Sequence, residues 1–147
     1  MVTRRGLVIG AGAGLALAAL PSAYAQYRPV VTVYKSPTCG CCGEWEKHMR
    51  SSGFRLETQN MADVTPLKRK YGVPEAAYSC HTATIAGYVL EGHVPAADVK
   101  RLLRERPKVT GLAVAGMVPG SPGMTGAPQP YATIAFDDRG TRVFERH

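Results

Sequence analysis

VVTVYKSPTCGCCGEWEKHMRSS, residues 30–52, sets the fold class. Val30-Val31-Thr32-Val33-Tyr34 is β-branched and aromatic and is bounded by Pro29 and by Ser36-Pro37, the signature of a buried strand. Cysteines and glycines follow. From 44 to 52, Trp45, His48, Met49 and Ser52 recur at i, i+3, i+4 and i+7, which is one face of a helix, and Gly53 stops it. Residues 54–58 then alternate as a second strand. Strand, cysteine turn, helix and strand make one unit.

Beyond that unit, Thr65-Pro66 predicts an N-cap followed by proline at N1, opening a short helix that carries Leu67 and Tyr71 on one face and ends at Gly72. Residues 82–85 and 88–91 predict two strands joined around Ala86-Gly87. Pro95 opens a third helix with Ala96, Val99, Leu102 and Leu103 on one face, closed by Pro107. Residues 111–130 are rich in glycine and proline and read as one long irregular loop, a length that suggests function. Residues 131–136 and 141–144, either side of Asp137-Asp138-Arg139-Gly140, close the chain as a hairpin. The class is α/β: a mixed sheet with flanking helices, a Gly/Pro-rich loop and a C-terminal β-hairpin. There is no internal repeat.

The totals fit a single domain. The chain has 147 residues, 45% hydrophobic and 20% charged, with a net charge of +7, an ordinary globular composition. Residues 1–25 are a separate object. Arg4 and Arg5 precede an apolar stretch at 7–20, and Ala23-Tyr24-Ala25 offers a small-x-small cleavage pattern. The apolar run is short for a bilayer span, so residues 1–25 are expected to be an export signal cleaved after Ala25. Thr3-Arg4-Arg5-Gly6-Leu7-Val8 resembles a twin-arginine signal without its usual aromatic, and paired arginines also occur in ordinary secretory signals, so the route stays open. Residues 26–147 are then one domain, and the periplasm is the expected location for a Gram-negative host. No other segment suits stable membrane insertion. The basic residues Lys68, Arg69, Lys70, Lys100, Arg101, Arg104, Arg106 and Lys108 lack interleaved aromatics and read as solvated helix faces, not a nucleic-acid surface.

The chemistry lies in the cysteines. Cys39-Gly40-Cys41-Cys42-Gly43 falls between strand and helix, where unpaired N–H groups stabilise thiolates. Cys39 and Cys42 have the C-x-x-C spacing that either closes a disulfide or binds a metal ion, and Cys41 adds a third sulfur. Cys80, followed by His81, immediately precedes the third strand. If that strand lies beside the first, four sulfurs and an imidazole converge. Such a set suits Cu(I), a Cys₃His zinc site or an iron–sulfur cluster, and spacing does not choose among them. His93, at the far end of the hairpin, and the loop thioethers Met117 and Met124 are softer candidates, each with packing as its plain alternative. His48 reads as a packing or surface residue, and His147 as a mobile end.

Several segments together resemble one bacterial family: residues 34–42, 79–83, 87–95, 111–114 and 120–124. It is the family long labelled a domain of unknown function that includes copper-resistance proteins of the CopG type. The resemblance runs from about Val30 to Phe144. It implies a thioredoxin-like fold, a periplasmic location and copper bound through Cys39, Cys41, Cys42 and Cys80, all of which match the family's cysteines. It favours copper over zinc or an iron–sulfur cluster, and copper-export components as partners. Ala115 stands where the family commonly has proline, which loosens the loop carrying Met117.

Two functions from different classes fit these residues. One is a periplasmic copper-binding protein that holds Cu(I), in a multinuclear site if sulfurs bridge, with His81, His93, Met117 and Met124 as helpers, in copper resistance with redox cycling of the metal. The other is a thiol–disulfide oxidoreductase with Cys39 attacking and Cys42 resolving. Thioredoxin-like oxidoreductases place a cis-proline just before the third strand, where this chain has Cys80-His81. Extra sulfurs at Cys41 and Cys80 would also divert two-electron exchange. Both facts favour the metal.

Overall fold

The computed structural model describes residues 28–147. The export signal at 1–25 and its cleavage after Ala25 lie outside the described residues.

The elements run β1 (Val30–Lys35), α1 (Gly40–Ser51), β2 (Arg55–Asn60), α2 (Thr65–Lys70), a 3-10 turn (Glu75–Ala77), β3 (Thr82–Ile85), β4 (Tyr88–Glu91), α3 (Ala96–Glu105), β5 (Gly111–Ala113), β6 (Ala132–Asp137) and β7 (Gly140–Arg146). They form one open mixed sheet in the order β2-β1-β3-β4-β5-β6-β7. β1 and β2 are parallel, as the α1 crossover requires, while β3 runs antiparallel to β1 and pairs Tyr34 with Thr82. β3 and β4 form the expected hairpin, whose turn residues Ala86 and Gly87 both take positive φ. This strand–helix–strand, hairpin and helix arrangement is the mixed α/β sheet read from the residues, and the thioredoxin-like fold that the family resemblance implies.

Alternation along the strands divides the core between two faces. Val31, Val33, Leu90, Leu112 and Ala135 face α1 and α3, packing with Trp45, Met49, Val99 and Leu102. Val89, Ala113 and Phe136 face the other way, where Val73 and Ala77 after α2 cover them. One face is therefore covered by α1 and α3 and the other by the segment that follows α2, including its 3-10 turn.

Four expectations need correction. α1 begins at Gly40, not near 44, so Cys41 and Cys42 lie inside its first turn and Cys39 is the N-cap. Thr65 is not a cap but the first residue of α2, because the Asp63 carboxylate accepts the Thr65 N–H at 2.8 Å. The predicted loop at 111–130 surrenders its first three residues to β5, which pairs parallel to β4 and antiparallel to β6. Gly111 makes that pairing close: a Cβ there would overlap the Val89 carbonyl oxygen. His147 is held, not mobile. It exchanges two backbone hydrogen bonds with Tyr131, its ring stacks on the Tyr131 ring, and its Nε2 lies 2.9 Å from Asp98 Oδ2.

Candidate metal centre

Three backbone pieces meet at the end of β1. The first is the β1–α1 junction with its three cysteines. The second is segment 78–81, which leads into β3 and carries Cys80 and His81. The third is the turn after β4, which carries His93. Because β3 pairs with β1 at Tyr34–Thr82, Cys80 is drawn to the start of α1.

The four cysteine sulfurs all lie within 4.8 Å of one another. Cys39 and Cys42 form a disulfide with Cα atoms 5.4 Å apart, and Cys41 and Cys80 are free thiols. Cys41 Sγ is 3.6 Å from Cys39 Sγ and 3.8 Å from Cys80 Sγ. A second donor group shares Cys80: its sulfur, His81 and His93 again place one ligand atom each within 4.8 Å of the others. Cys80 Sγ lies 3.3 Å from His81 Nδ1 and 3.0 Å from His93 Nε2.

The His93 tautomer is set by its other contact. Nδ1 lies 2.6 Å from the Pro122 carbonyl oxygen, which can only accept, so Nδ1 carries the hydrogen and Nε2 presents its lone pair to Cys80. A ring fixed in this way by a carbonyl is the usual support of a histidine ligand. His81 is fully buried, and its Nε2 has no hydrogen-bond partner. An unpartnered buried nitrogen costs about 1–3 kcal/mol, and it is the other ring nitrogen, Nδ1, that faces Cys80. The His81 ring also packs 4.4 Å from the Trp45 ring, centroid to centroid, and Trp45 is itself pinned by its Nε1–H to the Val94 carbonyl.

Burial governs the charges here. It pushes the Cys80 thiol up to about 12, with the neighbouring Cys41 sulfur adding to the effect. Burial likewise pulls His81 well below, and His93 below, the ordinary imidazole range, with the nearby His93, Lys68 and Lys35 adding at His81. The site therefore holds neutral imidazoles and a protonated Cys80 thiol. Neutral imidazoles are the form that binds metal, and a metal ion would displace the thiol proton. Soft sulfurs and neutral imidazoles together fit a soft metal ion.

Segment 78–81 is irregular, and its position is set from below by a buried ion pair. Glu91 Oε1 accepts from Lys68 Nζ at 2.5 Å and from the Ser79 backbone N–H at 2.7 Å, while Oε2 accepts from the Thr82 hydroxyl. Gly92, at positive φ, lets this segment approach: a Cβ there would lie 2.6 Å from Ser79 Cβ and 2.7 Å from the Val114 carbonyl oxygen. Sequence reading missed Lys68 and Glu91 as supports, since it placed Lys68 on a solvated face. The signal was present only as a charged residue, Glu91, ending an otherwise apolar strand.

The loop after β5 wraps the same end. The Ser79 hydroxyl donates to the Gly116 carbonyl and the Gly116 N–H to the Tyr78 carbonyl, which puts exposed Met117 next in chain to a residue anchored at the site. Pro122 holds His93, and Gly123 lies against α1, where a Cβ would come within 2.6 Å of the Trp45 nitrogen and 2.9 Å of the Cys41 oxygen. Met124, half-buried, comes directly after it. His48 lies away from this cluster, and its Nε2 accepts the Ala96 N–H at the start of α3.

Comparison with known proteins agrees with this picture. A family model described as a protein of unknown function, DUF411, matches residues 77–124, the span holding Cys80, His81, His93 and the wrapping loop. No curated protein matches. Two solved structures of copper resistance protein CopG do. One is 38% identical, covering 81% of this chain and 98% of that one, with a TM-score of 0.76. The other is 39% identical, covering 80% and 96%, with a TM-score of 0.75. With that identity over almost the full length of those proteins, and the same fold, this chain belongs to the CopG copper-resistance family.

Proposed function

We propose that this chain is a periplasmic copper-handling protein that holds Cu(I) as cargo through Cys39, Cys41, Cys42 and Cys80, and serves copper resistance. The observation that carries the reading is the shared position of Cys80, which belongs both to the four-sulfur group and to the group with His81 and His93. A sulfur so placed can bridge two metal ions, so the site suits more than one copper. Thiolates favour Cu(I), whereas imidazoles also accept Cu(II), which suits a site where copper changes oxidation state. Met117 and Met124, each next in chain to a glycine anchored at this end, would serve as thioether helpers. Copper-export components are the natural partners of such a protein.

A second reading has one specific observation in its favour. The Cys39–Cys42 disulfide is the form an oxidised thiol–disulfide oxidoreductase would take, with half-buried Cys39 more accessible than buried Cys42. Against it, the residues before β3 are Cys80-His81, where thioredoxin-like oxidoreductases have a proline.

Reduced chain, purified without oxygen and titrated with Cu(I) against the chelator bathocuproine disulfonate, distinguishes the two. We expect two or more Cu(I) per chain, and a loss of affinity of more than about tenfold in Cys80→Ser. A chain that takes up no copper but reduces insulin, with Cys80→Ser unaffected, would overturn the copper reading in favour of the oxidoreductase.

A further inference from the structure

We infer that Cys41 is a relay thiol, through which the disulfide moves within the chain from Cys39–Cys42 to Cys41–Cys80. The sulfur geometry alone supports this relay, which does not depend on the copper reading.

Cys41 lies between the disulfide and the remaining thiol. Its sulfur is 3.6 Å from Cys39 Sγ and 3.8 Å from Cys80 Sγ, about van der Waals contact on both sides. The alternative attack, on Cys42, would join adjacent residues, which rarely pair. A purely structural disulfide would have no need of two free thiols packed beside it. Gly40, the one residue between Cys39 and Cys41, is exposed, and a Cβ there would meet nothing within 4 Å outside its own helix and chain neighbours.

The exchange balances without an outside reductant. In the first step the Cys41 thiolate bonds to Cys39 Sγ as the Cys39–Cys42 bond breaks. The electron pair leaves on Cys42 Sγ, inside the first turn of α1 where backbone N–H groups favour a thiolate, and Cys42 takes up the proton that Cys41 lost. In the second step Cys80 Sγ bonds to Cys41 Sγ, and Cys39 leaves as a thiolate. The Cys80 proton is released as the new bond forms and is taken up, by way of water, by the Cys39 thiolate. One disulfide is consumed and one is formed, so no electrons enter or leave.

The consequence is two one-disulfide forms with different free thiols. One leaves Cys41 and Cys80 free beside the imidazoles; the other leaves Cys39 and Cys42 free at the helix start. An external thiol or disulfide of the glutathione class can then act at the half-buried Cys39 end and change the oxidation state of Cys80 without reaching it.

The test uses metal-free chain carrying one disulfide, held without oxygen in the presence of a copper chelator. Free thiols are alkylated with iodoacetamide at intervals and located by fragmentation mass spectrometry. Label confined at first to Cys41 and Cys80 should spread to Cys39 and Cys42, rising at least about tenfold over the level in Cys41→Ser. The rate should not change on tenfold dilution of the protein. Cys80→Ser should stop label at Cys39 while still allowing it at Cys42, because the first step survives. Wild-type label that stays on Cys41 and Cys80, or a rate that falls on dilution, overturns the relay. Since no copper is present, failure here leaves the copper reading standing, and failure of copper binding leaves the relay standing.

Discussion

Lys68 and Glu91 are the residues whose placement is least like their ordinary behaviour. Both are almost fully buried, at 4% and 0% side-chain exposure, and they pair across 2.5 Å beneath segment 78–81. Burial raises the Glu91 carboxyl above its usual range, and the Lys68 ammonium works against that rise. Removing Lys68 leaves the carboxylate buried with only neutral donors. Lys68→Met is therefore expected to cost about 3–5 kcal/mol, read by urea unfolding of the metal-free chain. The paired replacement Lys68→Met/Glu91→Leu should recover much of that loss, because it removes the uncompensated charge. It should still loosen Cys80, since the Ser79 N–H loses its acceptor. If the single variant is as stable as wild type, the pair is not what holds this end of the sheet.

α3 depends on a cap from a different helix. Its N-cap is Pro95, which has no side-chain group to offer, and the Ala96 N–H is instead accepted by His48 Nε2 at 3.0 Å. Only neutral His48 can accept. Burial, with Lys100 nearby, lowers the His48 imidazole below its ordinary value. A histidine depressed in the folded state binds its proton more readily when unfolded. Stability from it is therefore full above about pH 6.5 and is lost as pH falls through the lower folded value. His81 and His93 are depressed by burial too and act in the same direction. The share belonging to His48 is isolated by His48→Gln, whose amide oxygen keeps an acceptor without titrating. Denaturant midpoints for this variant should fall less between pH 7 and 5 than those of wild type, and equal slopes would remove His48 from the account. At this scale, strong periodicity was readable and short pieces were not. β1, β3 and β4 carry β-branched or aromatic residues between clear breakers, and their bounds were legible within a residue. β5 is three residues beginning with glycine, so it has no alternation to show, and it exists because Gly111 allows its strand to pass close over Val89. The start of α1 was hidden for the opposite reason: Gly40-Cys41-Cys42-Gly43 has poor helix propensity, and the helix extends through it because Trp45 and Met49, packed in the core, hold the later turns in place.

Across the whole molecule, the convergence of Cys80 with Cys39–Cys42 was legible because it comes from one topological rule, that the hairpin's first strand lies against β1. The wrapping of the loop at 114–130 over that end was not legible, since glycine and proline mark irregular backbone without saying where it goes. Contacts far apart in sequence place it: Ser79 with Gly116, His93 with Pro122, and α1 with Gly123. Gly123 is the tightest of these, at φ +89 with the Trp45 nitrogen where a Cβ would stand. Gly123→Ala must therefore lift the loop off the first turn of α1. The sheet and both faces of the core lie elsewhere, so the global cost should stay near about 1–3 kcal/mol, the range for a strained or overpacked site. The local effect should be larger. Alkylation of the half-buried Cys41 and Cys80 in the metal-free chain should quicken by about tenfold or more, because at about 1.4 kcal/mol per decade even part of that strain, relieved by local opening, exposes the thiols. Thiol rates equal to wild type at an unchanged denaturant midpoint would show that the loop does not cover the cysteines, and that burial by segment 78–81 alone protects them.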